Sequence, residues 1–92
     1  MMRIAKHLLA TLALLPVIAW AGPVDLNTAD AATLARELKG IGPARAEAIV
    51  AWREANGPFR SPEVLVRVQG IGDRVLEENR ALIIASQPDE DE

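Results

Sequence analysis

Leu38-Lys39-Gly40-Ile41-Gly42-Pro43 and, thirty positions later, Val68-Gln69-Gly70-Ile71-Gly72-Asp73 are two versions of one hexapeptide. Each runs from an apolar residue through a polar one into Gly-Ile-Gly, and each lies between two segments with helical patterning. The glycines let the chain take positive φ and approach a neighbour closely. The helix that opens after each turn points its first, unpaired N–H groups outward, where an anion is favoured. A pair of such entrances in fixed relation suits a polymer with regularly spaced phosphates, and double-stranded DNA is the partner this pattern indicates.

Outward from the hexapeptides, the helical segments can be placed. Asn27-Thr28-Ala29-Asp30 offers cap residues ahead of a helix over 31–38, with Leu34 and Leu38 on one face. Pro43 suits the first turn of a second helix reaching about Ala55, with Ala46, Ile49 and Val50 inward and Trp52 on the flank of that stripe. Asn56-Gly57-Pro58 stops it, and Phe59 is expected to plug the core between the halves. Ser61-Pro62 opens a short third helix carrying Val64, Leu65 and Val68. A fourth, over 73–85, turns Val75, Leu76, Leu82 and Ile83 inward. No segment alternates with period two. The expected fold is therefore all-α: four short helices in two helix–hairpin–helix units related by a pseudo-two-fold axis, their apolar faces forming one core.

The ends differ in composition from this middle. Residues 1–21 begin with Arg3 and Lys6, continue through the apolar run Leu8 to Trp20, and finish on Ala19-Trp20-Ala21. That order matches a secretory signal peptide cleaved near Ala21/Gly22. An uncleaved anchor is the alternative, but the thirteen-residue run falls short of a bilayer span and Pro16 interrupts it. The mature protein, residues 22–92, is expected in the periplasm with no stable membrane insertion. Residues 22–86 form the domain. Residues 87–92, ending Asp89-Glu90-Asp91-Glu92, read as a disordered acidic tail.

Charge and chemistry narrow the function. Ten basic residues stand against thirteen acidic ones, a net charge of −3. Without the leader eight basic residues remain, moving the balance to −5; without the four terminal acids it is −1. Bulk positive charge is therefore not what would hold a nucleic acid. There is no cysteine nucleophile, the single histidine, His7, lies in the leader, and the acids form no close constellation beyond the tail, whose run reads as solvated and not metal-binding. An enzyme is not expected. Trp52 and Phe59, the aromatics beyond the leader, sit on core patterns and not on a base-stacking platform.

These residues together resemble the helix-hairpin-helix family, and within it the ComEA-type competence DNA-binding proteins. The likeness runs from Val24 to about Ala85 and rests on Val24-Asp25-Leu26-Asn27-Thr28-Ala29, both Gly-Ile-Gly hairpins, Ala48-Ile49-Val50 and the stretch Arg53 to Phe59. It implies a double hairpin that binds duplex DNA through phosphates without sequence preference and captures or retains incoming DNA in natural transformation, with DNA-uptake machinery as a further partner. The contacts it implies are hairpin backbone and a basic residue beyond each hairpin: Lys39, Gly40, Ile41, Gly42, Ala44 and Arg45 in the first copy, Gln69, Gly70, Ile71, Gly72 and Arg74 in the second. Asp73, where the first copy has Pro43, puts a carboxylate at the place a phosphate would take, which makes the second hairpin either the weaker phosphate site or a mainly structural one. No cofactor is required, although some hairpins of the family hold a monovalent cation on their carbonyls. The rival readings are a secreted protein-interaction module and an accessory subunit of a nuclease or repair assembly.

Overall fold

In the computed structural model, residues 22–88 are described. The expected leader, residues 1–21, and the four terminal acids lie outside them. The element order is β1 (Val24–Asp25), α1 (Ala31–Glu37), α2 (Pro43–Asn56), a 3-10 helix (Pro62–Arg67), α3 (Asp73–Asn79), a 3-10 turn (Arg80–Leu82) and β2 (Ile83–Ile84). The fold is mostly helical, and no helix among the described residues is long and apolar enough to cross a membrane.

Local chemistry sets these boundaries. The Asp30 carboxylate accepts from the Thr33 N–H at 2.9 Å and caps α1. Leu38 leaves the helix in an extended conformation, and Gly40 turns the chain at φ +73°. Pro43 opens α2 at a position where its missing N–H costs nothing. Gly57, at φ +92°, ends α2 while its N–H still reaches the Arg53 carbonyl at 2.9 Å. Phe59 is fully buried and stacks on Trp52 with ring centroids 4.5 Å apart. Leu26, Leu34, Ile49, Leu65 and Val68 close around it as a single core.

Three departures from the sequence reading have physical causes. The third helix is 3-10, not α: only six residues separate Ser61 from Val68, and valines at 64 and 66 are poor propagators of so short an α-helix. The fourth ends its α portion at Asn79, not near Ala85. The β-branched pair Ile83-Ile84 then extends and lies parallel to β1, Val24 opposite Ile83 and Asp25 opposite Ile84, so the domain is not purely α. A strand of two residues is too short to show alternation in a sequence. Finally, Gln87 belongs with the folded body rather than the tail. Its amide donates to the carbonyls of Phe59 (3.0 Å), Arg60 (3.3 Å) and Ala85 (2.9 Å).

The strand pair brings the two ends of the domain together, and Asn27 fastens them. Its side chain accepts from the Phe59 N–H at 2.7 Å and donates to the carbonyls of Phe59 and Ser86. Asp25 accepts from the Asn27 N–H at 2.9 Å and the Ser86 N–H at 3.2 Å. Burial pushes the Asp25 carboxyl up, but hydrogen bonds from Ser86, Asn27 and Thr28 outweigh it and hold the group below its ordinary value.

Candidate nucleic-acid interface

The two Gly-Ile-Gly turns are linked through Arg45, whose side chain packs on Gly70 and bonds the carbonyls of Gly70 and Gly40. Gly42, Pro43, Ala44 and Arg45 from the start of α2 line an open groove with Gln69 and Gly70 from the second turn. Contacts between the copies are reciprocal at thirty-residue spacing. A Cβ on Gly40 would meet the Val75 side chain at 3.7 Å, and one on Gly70 would meet the Arg45 side chain at 3.5 Å.

Within each turn the two glycines differ. Gly40 and Gly70 have φ of +73° and +92°, which an L side chain adopts only with strain. Gly42 and Gly72 have ordinary φ of −85° and −113°, and a Cβ on either would meet nothing within 4 Å. Both occupy helix N-caps, and neither α2 nor α3 has a side-chain cap, unlike α1. The first helical bonds are Ala46 N–H to the Gly42 carbonyl (2.9 Å) and Leu76 N–H to the Gly72 carbonyl (3.1 Å). The N–H groups of Ala44 and Arg45 in α2, and of Asp73, Arg74 and Val75 in α3, precede them and have no acceptor within their helix.

The expected contact residues separate into three groups. Ala44, Arg45, Gln69, Gly70 and Gly42 share the groove. Lys39, Gly40, Gly72 and Arg74 are exposed but do not line it. Ile41 and Ile71 are 2% and 5% exposed, so their side chains belong to the core and only their main chain remains for a ligand. Apolar residues flanked by glycines are the wedges that seat each turn on the helices beneath.

Arg45 and Arg74 do not occupy matching places. At thirty-residue spacing Arg45 corresponds to Val75, and Arg74 to Ala44. Arg74 is exposed at the start of α3, behind Asp73. The Arg45 guanidinium reaches across the interface: Nε donates to the Gly70 carbonyl at 2.7 Å and an Nη to the Gly40 carbonyl at 3.3 Å. One side chain thereby joins both turns.

A second cross-connection escaped the sequence reading. Asn79 is fully buried, the one polar residue in that class among the described residues. Its Oδ1 accepts from the Lys39 N–H at 2.7 Å, and its Nδ2 donates to the carbonyls of Lys39 (2.8 Å) and Val75 (2.9 Å). The last helix of the second copy thus holds the first turn by both main-chain groups of one residue. The signal was present in the pattern, because position 79 lies on the inward stripe with Val75, Leu76 and Ile83, and its counterpart thirty residues earlier is Ile49. A polar side chain there needs buried partners.

Comparison with known proteins agrees with this geometry. The family described as helix-hairpin-helix motif matches residues 21–84. An uncharacterized protein of Haemophilus influenzae is 49% identical over 61 residues, which are 66% of this chain and 54% of that protein. ComE operon protein 1 of Bacillus subtilis is 42% identical over 60 residues, 65% of this chain and 29% of its own length. Protein tex of Bordetella pertussis is 44% identical over 55 residues, 60% of this chain but 7% of that protein. The chain thus spans about half of the first relative and less of the other two. The likeness to ComE operon protein 1 supports the ComEA-type resemblance. With paired turns opening on one groove and the family matched across 21–84, the chain belongs to the helix-hairpin-helix family.

Proposed function

We propose that this protein binds double-stranded DNA through its phosphates, without sequence preference, and that it captures or retains incoming DNA in the periplasm during natural transformation. Gly42 carries this reading, with Gly72 in support. The fold does not ask for glycine at either place, since φ is ordinary and a side chain would find open space. A Ser or Asp cap there would hold the helix at least as well. Glycine instead leaves the entrance of each helix bare, which suits a partner that comes close to the main chain. The free N–H groups of Ala44 and Arg45 lie at the first entrance, Gln69 and Gly70 share its groove, and Lys39 and Arg74 are exposed cations close in sequence to the two turns. The reciprocal contacts between copies support a pseudo-two-fold relation, and Asp73 makes the second entrance the weaker one. Compartment and biological role rest on the signal-like leader and on the ComEA-type resemblance. No cofactor is needed for this mode of binding.

Phosphate contacts fix position and carry no base information, so affinity is the same for unrelated duplexes. If about four phosphates are engaged, a fourfold rise in salt weakens binding roughly 10²-fold. Titrating residues 22–92 with duplexes of different sequence at several salt concentrations tests both statements. Gly42→Ser supplies the local test: the melting temperature stays level or rises slightly, while duplex affinity falls several-fold. A domain that ignores duplexes in dilute buffer, yet remains folded, leaves the protein-interaction module as the better reading.

A further inference from the structure

A basic residue just past a helix–hairpin–helix turn is ordinarily assigned to phosphate, yet Arg45, though exposed, already makes two hydrogen bonds within the protein. Its Nε and one Nη are spent on the Gly70 and Gly40 carbonyls. Those carbonyls come from the positive-φ glycines of both turns. Glycine at 70 is also what admits the Arg45 side chain, whose Nε lies 3.5 Å from where a Cβ would stand. A guanidinium is rigid and planar, so hydrogen bonds from two of its nitrogens fix the distance between two acceptors. A lysine ammonium, compact and on a flexible stem, carries the same charge without that fork.

We propose that Arg45 is a positioning residue: it staples the two Gly-Ile-Gly turns together and so sets the spacing at which they meet a duplex. The inference deepens the DNA-binding reading and rests on it for its effect on affinity, although the staple itself exists without DNA. The second copy then serves the first, which accounts for a fold that keeps a second turn despite the carboxylate of Asp73 at its helix entrance. Charge alone does not perform this role, and that separates it from phosphate neutralisation.

The test compares native protein with Arg45→Lys, Arg45→Gln and, as a reference for a simple surface cation, Lys39→Gln. All are checked for folding by circular dichroism at the titration temperature. In DNA-free protein, Arg45→Lys is expected to shift the backbone amide resonances of Ile41 and Ile71, the peptide groups that contain the Gly40 and Gly70 carbonyls. With duplex, Arg45→Lys loses roughly tenfold in affinity, the scale of one charge-assisted hydrogen bond, and leaves the salt slope unchanged. Arg45→Lys that binds like native, with Arg45→Gln lowering the slope by about 0.9, overturns the proposal and returns Arg45 to the phosphates. Unmoved Ile41 and Ile71 resonances overturn it as well. If native protein binds no duplex, the functional reading fails by itself, and the two resonances still decide whether the staple exists.

Discussion

Gly40 and Gly42 are two residues apart, and substitution separates what each does. Gly40 is held at φ +73°, so Gly40→Ala forces a side chain into the left-handed region and is expected to destabilise the fold by about 1–2 kcal/mol. Chemical denaturation measures that directly. Gly42→Ser carries no such strain, and its cost is expected in duplex affinity and not in stability. Asn79 is the other decisive position. Asn79→Leu fits the apolar surroundings but strips the Lys39 N–H and carbonyl of their buried partners, at about 1–3 kcal/mol for a stranded group. The expected result is a clear loss of stability by denaturant titration, together with a change in the amide environment of Lys39. A substitution that left both unchanged would remove Asn79 as the clamp on the first turn.

The three α-helices among the described residues have different entrances. α1 starts on the Asp30 carboxylate, which accepts from the Thr33 N–H; that backbone hydrogen bond is the main reason its carboxyl is held below its ordinary value. Asp30→Ala removes that cap and is expected to lower the melting temperature without altering duplex affinity at temperatures where the domain is folded. α2 and α3 start on bare glycines, and the α2 entrance lines the groove. The 3-10 helix is linked to the last turn by Arg80, which pairs with Glu63 and with Glu77 at 2.8 Å. All three groups are exposed, so this network contributes little to stability and steers no argument about function.

For the domain as a unit, the ends matter as much as the turns. Asp25 and Asp30 both have carboxyls held below an ordinary value of 3.8, so the unfolded chain takes up protons before the folded one does. Their contribution is complete above that value and is lost as pH falls through the depressed folded values. The melting temperature is accordingly expected to be level from pH 7 to about pH 5 and to drop below about pH 4. Asp25→Asn, which cannot ionise, should show a shallower acid drop from a lower starting point at neutral pH. An unchanged acid profile in that variant would mean that the Asp25 knot at the strand pair does not hold the ends together.

The sequence alone determined the periodic parts of this protein. Helix faces, cap residues and glycine turns are local properties, written in the spacing of Leu34 and Leu38, of Ala46 and Ile49, and in the duplicated Gly-Ile-Gly. The tertiary structure decided what depends on pairs of residues far apart. It paired Ile83-Ile84 with Val24-Asp25, buried Asn79 against Lys39, and turned Arg45 from a free cation into a bond between turns. The inward stripe could mark position 79 as buried, but not its partner Lys39, which is 40 residues away. Only the packing of one copy on the other brought them within hydrogen-bonding distance.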